Sequence, residues 1–292
     1  MSGWPFSFNE LEPYYRRAHS ILDLGDYNYD VDYWSNQKDG FRPFPFDKSN
    51  VRTKVFKWSA PTRFGEKYQT EITQTENLTL WTHANVTEIQ APPNGSEVTG
   101  LQVQCLNGKE HQVRARKYVL ACGGLENPRL LLNSNREHSD GLGNDNGLIG
   151  RYFMEHPHVP SANLNLTESP GAGYRGSHDA GEPFYLFSLS PQQQRRQHVL
   201  NYSAALRRKI GSGHDRSLPS WLYEIPNVRG LENYVKSYFF SEGDGAESDH
   251  IELGLSTRIE QRPNPKSRVS LSSETDELGQ PRIELNWDLT ED

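Results

Sequence analysis

Residues 117–134 read KYVLACGGLENPRLLLNS, and no other stretch limits the fold of this chain as tightly. An apolar run meets a small-residue turn, Ala121-Cys122-Gly123-Gly124, and a leucine-rich segment follows at once. Tyr118, Val119 and Leu120 suit a buried parallel strand, whose continuous apolar character reflects cover on both sheet faces. Two consecutive glycines let the backbone turn sharply and come close to a ligand or a packed helix. Pro128 fits the first turn of the next helix, where a missing N–H is no loss, and Leu130, Leu131 and Leu132 carry that helix onto the sheet. The start of such a helix offers free amide donors and a partial positive charge, which suits a pyrophosphate. Glycine used only for tight packing is the alternative reading of the same turn.

The residues upstream weigh toward the ligand reading. Short β segments are expected at 78–81, 85–89, 98–105 and 111–114, with turns at Pro92-Pro93-Asn94-Gly95 and at Asn107-Gly108, where both residues tolerate positive φ. A β-meander that returns into a buried strand and a glycine turn belongs to a layered nucleotide-binding domain rather than to a one-layer sheet.

At this point the sequence resembles a known family. GGLENPRLLLNSN, residues 123–135, is similar to the second signature of the glucose-methanol-choline (GMC) oxidoreductases: a glycine turn, two residues, a Ser/Thr-Pro pair, paired aliphatics and Ser-Gly. It departs at Gly124, at Asn127 where a hydroxyl residue is usual, and at Asn135 where glycine is usual; the form GG-x-E-N-P-R resembles the bacterial, sugar-oxidase-like branch. Four further stretches resemble the family in order and spacing: SGWPFSFNELEPYYRRAHSIL (2–22), APTRFGEKY with THANVTEI (60–89), GLIGRYFMEHPH (147–158) and PNPKSRVSLSSETDELGQPRIELNWDLTED (263–292).

The resemblance implies a mixed α+β / α/β fold: part of a two-dinucleotide-type FAD-binding domain, made of meander, strand, glycine turn and helix, plus an antiparallel-sheet substrate domain with helices. It divides the chain into an N-terminal helix and aromatic linker (1–50), a partial FAD-binding domain (51–150) and a partial substrate-binding domain (151–292). FAD is the implied cofactor and an alcohol or sugar the implied substrate, oxidised at CH–OH by hydride transfer to flavin. The implied cofactor contacts are Val86 at the adenine, with Ala121, Cys122, Gly123, Gly124 and Asn127 at the diphosphate. Each has a plain structural alternative: Val86 as a meander core residue, Asn127 and Glu126 as helix-start residues. The family's N-terminal G-x-G-x-x-G and its catalytic histidine have no counterpart at the expected positions, so the chain reads as a central fragment with no catalytic residue of its own and negligible turnover alone. A non-catalytic carbohydrate-binding module and an inactive truncated remnant are the alternatives.

Other features narrow the reading. The pattern G-x-G-x-x-G does occur at 171–176, but it lies in a polar loop between Pro170 and Pro183, without the strand and helix the motif requires. His156 and His158 flank Pro157, a spacing unlike common zinc sites, so no metal is expected, and the family resemblance implies a structural hydrogen-bonding role for His156. Asp249, His250 and Arg258 stand as candidates to face a sugar-like substrate, with a solvated strand face as the alternative. No G-x-S-x-G elbow supports Ser-His-Asp hydrolysis.

The chain has 292 residues, 34% hydrophobic and 11% aromatic, with mean hydropathy −0.81. That is polar for an independent globule, yet the aromatic content argues against disorder. A net charge of −7 gives no electrostatic footprint for nucleic acid, and no apolar run is long enough to span a bilayer. Cys105 and Cys122 are expected free and buried, which slightly favours a cytoplasmic setting. Helical spacing predicts a helix over 9–22 capped by Ser7 or Asn9, and a helical insert over 221–240. Alternation predicts strands at 184–189, 198–204, 251–259, 268–271 and 282–289.

Overall fold

The computed structural model of the protein describes residues 4–60, 62–175, 181–208 and 251–290. Asp249, His250 and the insert expected over 221–240 lie outside them. The N-terminal half contributes α1 (Phe8–Ile21), α2 (Val31–Gln37), β1 (Val51–Lys57), α3 (Phe64–Lys67), α4 (Gln69–Gln74), β2 (Asn85–Gln90), β3 (Gly100–Gln104), β4 (Glu110–Val113) and α5 (Gly123–Asn133). The C-terminal half contributes β5 (His158–Leu166), α6 (Ala172–Arg175), β6 (Pro183–Leu189), α7 (Pro191–Gln197), β7 (Tyr202–Arg208), β8 (Ile251–Ile259), β9 (Arg268–Thr275) and β10 (Pro281–Asn286). Among the described residues every strand pairing is antiparallel, and with the helices this gives an α+β fold.

Two compact units result. The first joins 1–71 with 156–260, and the second joins 72–155 with 261–292.

The first unit is built on a five-stranded sheet, β1-β6-β7-β8-β5. Strand periodicity sends alternate residues to opposite faces. One face collects Val55, Tyr185, Phe187, Ala204, Leu206 and Leu253, and Trp34 of α2 with Tyr174 of α6 pack on it. On the other face Phe184, Leu186 and Ala205 bury against Trp58. Strand β6 is therefore covered on both sides: Leu186 is 0% exposed and Tyr185 1%. Strand β5 carries a bulge between Pro160 and Ala162; His158 pairs Arg258 before it, and Leu164 pairs Leu253 after it.

Caps and loops of this unit follow local chemistry. Glu10 accepts hydrogen bonds from the Ser7 amide (2.7 Å) and hydroxyl (2.9 Å), starting α1 where the sequence indicated. Asp30 caps α2 through the Tyr33 amide at 2.7 Å, so part of the aromatic linker is helical rather than irregular. Segment 171–175 is a correction of another kind. Tyr174, 2% exposed, is core, and its hydroxyl bonds the Phe44 amide and the Thr53 hydroxyl. A Cβ on Gly173 would stand 2.6 Å from Tyr185, so the glycine spacing there serves close packing. The stretch expected as a strand over 198–204 begins later, because Ser190 and Pro191 start α7 and His198 ends it at φ 55°.

The second unit holds the meander β2-β3-β4 and the hairpin β9-β10. Its turns obey the expected chemistry: Gly95 donates to the Pro92 carbonyl at 2.8 Å, and Gly108, at φ +83°, donates to Cys105 at 2.9 Å. Two strand expectations fail. Residues 78–81 form no strand, with Leu80 59% and Trp81 61% exposed. Residues 118–120 pair with no described strand, and Val119 is 89% exposed. A parallel strand exists only through hydrogen bonds to neighbours, and the described residues supply none here. Cys122 is exposed and Cys105 half-buried, so neither is the buried thiol expected.

Candidate functional site

Helix α5 starts at Gly123, whose φ of +89° an L side chain rarely adopts. A Cβ added at Gly123 or Gly124 would meet nothing within 4 Å. Ala121, Cys122, Gly123 and Gly124 are exposed, and no side chain caps the helix start at Cys122. The result is an open helix N-terminus with its amides turned outward, the arrangement that binds phosphate. Pro128 is the sixth residue of this helix rather than part of its first turn, because the left-handed glycine begins the helix early. It withholds the amide that would otherwise bond the Gly124 carbonyl.

Asn127 reaches back across the turn. Its Oδ1 accepts from the Cys122 amide at 2.7 Å, which fixes the approach to the glycines and leaves Nδ2 as the group able to donate to a ligand. Glu126 turns to Arg129, Oε2 to Nη1 3.2 Å. At the other end of α5, Ser134 Oγ accepts from the Ile89 amide at 2.8 Å and donates to the Leu130 carbonyl at 2.7 Å, joining α5 to β2. Val86 lies on that same strand opposite Val103, 38% exposed, beside a bulge between Val86 and Glu88. Ala121, Cys122, Gly123, Gly124 and Asn127 thus lie together at one turn, and Val86 lies on β2, which meets α5 at the helix's other end.

Arg129 is a side chain that sequence reading passed over. Its Nη2 donates to Asp276 Oδ2 at 2.6 Å and its Nε to the Pro281 carbonyl at 2.8 Å. Burial alone would lower the guanidinium's pKa, but the Asp276 hydrogen bond and the Glu126 charge outweigh it and raise the value. For Asp276, burial pushes upward, and the bonds from Arg129 and the Gln280 and Leu278 amides prevail and lower it.

In the other unit, the strand pairings place His158, Ser203 and Arg258 in one cross-strand row of the sheet. His158 Nε2 lies 3.0 Å from His156 Nδ1, with the rings 4.9 Å apart and inclined 28°. Desolvation, reinforced by the charges of Arg258, His156 and Arg207, lowers the pKa of His158 to about 4. The imidazole is neutral at physiological pH, as its hydrogen-bonding role requires. Among the described residues, no group of three His, Cys, Asp or Glu could hold a metal ion. No described helix is long and apolar enough to cross a membrane.

Residues 40–158, which contain the whole glycine-turn site, match the family model described as GMC oxidoreductase. Over those residues the chain is similar to the GMC oxidoreductases. It is 26% identical over 324 residues to 2-methyl-1,2-propanediol dehydrogenase of Mycolicibacterium austroafricanum, covering 98% of this chain and 56% of that protein. Paromamine 6'-oxidase of Streptomyces fradiae is 27% identical over 180 residues, 61% of this chain and 27% of that one. The fructose dehydrogenase large subunit of Gluconobacter japonicus is 32% identical over 65 residues, 22% of this chain and 12% of its own. The chain spans about half the length, or less, of these relatives.

Proposed function

We propose that this chain forms part of an FAD-dependent oxidoreductase acting on the CH–OH groups of alcohols or sugars. The observation that carries the reading is the exposed glycine turn, with φ +89° at Gly123 and open space above both glycines, inside the segment that matches the family. FAD, when bound, supplies the acceptor for a hydride leaving the substrate carbinol carbon. The residues here fit its diphosphate. Gly123 and Gly124 permit close approach, the first-turn amides of α5 meet the phosphate charge, and Asn127 Nδ2 adds a donor. Val86 supplies main-chain contact for the adenine. The sheet row of His158, Ser203 and Arg258 offers neutral and cationic donors of the kind that bind hydroxyl-rich substrates. We assign the catalytic base to none of these residues, so the 292-residue chain alone binds flavin without turning over.

The test is a flavin titration of the chain and of Gly124→Val, followed by absorbance. Gly124 has open space at its Cβ, so the variant keeps its melting temperature and loses affinity at least about tenfold, a 1.4 kcal/mol effect. Undiminished binding by Gly124→Val sinks the cradle. Retention of glycans without any flavin would transfer the assignment to a carbohydrate-binding module, and a broad, non-cooperative melt to a truncated remnant.

A further inference from the structure

Glu126 poses a physical problem for a diphosphate site: its carboxylate sits in the first turn of α5, two residues after the second glycine. Like charges a few ångströms apart in a half-solvated setting repel each other. The structure answers with Arg129, one helical turn on, whose side chain is only 18% exposed against 51% for Glu126. The guanidinium is forked among four partners, the weakest being the Gln280 carbonyl at 3.4 Å. It holds Glu126 at 3.2 Å, Asp276 at 2.6 Å and the Pro281 carbonyl at 2.8 Å. Asp276 is itself fixed, because its Oδ1 accepts from the Leu278 (2.9 Å) and Gln280 (3.0 Å) amides across the β9–β10 turn. Arg129 therefore cannot swing toward the helix start, and Glu126 is drawn along the helix toward the hairpin.

We infer that Arg129 is a positioning residue of the nucleotide site: it restrains and neutralises the Glu126 carboxylate so that the open start of α5 presents positive potential to a diphosphate. This assignment rests on the flavin reading above and names a residue that acts through another, without touching the ligand. Lysine would not replace it, since a single ammonium lacks the planar fork that reaches Glu126 and Asp276 together.

The test measures the dissociation constants of FAD and of ADP, which share the diphosphate, by equilibrium dialysis at low salt. The chain is compared with Arg129→Gln, Arg129→Lys, Glu126→Gln and the Glu126→Gln/Arg129→Gln pair. Arg129→Gln weakens both ligands about tenfold and Arg129→Lys about threefold, while Glu126→Gln alone does not weaken them. The double variant returns to within about threefold of the unsubstituted chain, a rescue that a merely structural arginine would not allow. Equal weakening in the single and double variants, or none in Arg129→Gln, overturns the inference while the nucleotide reading stands. Failure of the unsubstituted chain to bind either ligand overturns both. Should Arg129→Gln not fold, Arg129→Lys with and without Glu126→Gln makes the same comparison.

Discussion

Strand β6 and the segment before α5 are both apolar runs, and they meet opposite fates. PFYLFSL has β1 along one edge and β7 along the other, with Trp34 and Tyr174 over one face and Trp58 over the second; Leu186 and Tyr185 vanish from solvent. YVLA has no strand partner among the described residues, and Val119 stays 89% exposed. Local composition sets a capacity for burial. Neighbours on both edges and both faces decide whether it is realised, because backbone hydrogen bonds and apolar cover arrive together in a sheet.

The sharpest test of that contrast pairs one substitution in each run. Leu186→Ala removes side-chain volume from a fully covered site and should destabilise the chain by about 3 kcal/mol, read as a lower denaturant midpoint by tryptophan fluorescence. Val119→Ser should move the midpoint by less than about 0.5 kcal/mol. A large effect at Val119, or a small one at Leu186, breaks the comparison.

An intermediate effect is expected where the second unit does have internal support. Ser134, 2% exposed, links the Ile89 amide to the Leu130 carbonyl, so Ser134→Ala orphans a half-buried donor and costs about 1–2 kcal/mol. Amide exchange at Ile89 should accelerate in step, and unchanged exchange there would show that β2 holds α5 by other contacts.

A pH slope is expected from the sheet of the first unit. His158 has a folded pKa of about 4 against 6.5 for the free side chain, so between those values the unfolded chain binds more protons. Stability gained at neutral pH is then lost as pH falls from about 6.5 to about 4. A His158→Gln variant should show a shallower acid slope over that window, and its chemical-shift titration should assign the lowest histidine midpoint to His158. A midpoint near 6.5 would mean the ring is solvated.

How much of this was legible follows from how far apart the interacting residues lie. The meander could be read because Asn107-Gly108 and Pro92-Pro93-Asn94-Gly95 encode their turns within four residues, and α1 because Ser7 and Glu10 cap it locally. Strand β1 was passed over although VRTKVFK alternates, and α7 because PQQQRRQ has no apolar period and depends on its Ser190 cap. At the candidate site the glycine turn was visible in the residues themselves. The restraint of Glu126 was not, since Arg129 and Asp276 are 147 positions apart and only the fold brings them together.

The bulge in β5 decides more than its size suggests. His158 shares a face with Arg258, and unbroken alternation would send Leu164 and Leu166, even-numbered like His158, to that same polar side. The extra residue at Ser161 reverses the parity. Leu164 and Leu166 join the apolar cluster around Leu253 and Phe187, and Asn163 and Asn165 pass to the histidine's side. One inserted position lets a single strand serve a greasy lining and a hydrophilic one in succession; deleting it would turn the second half of the strand inside out.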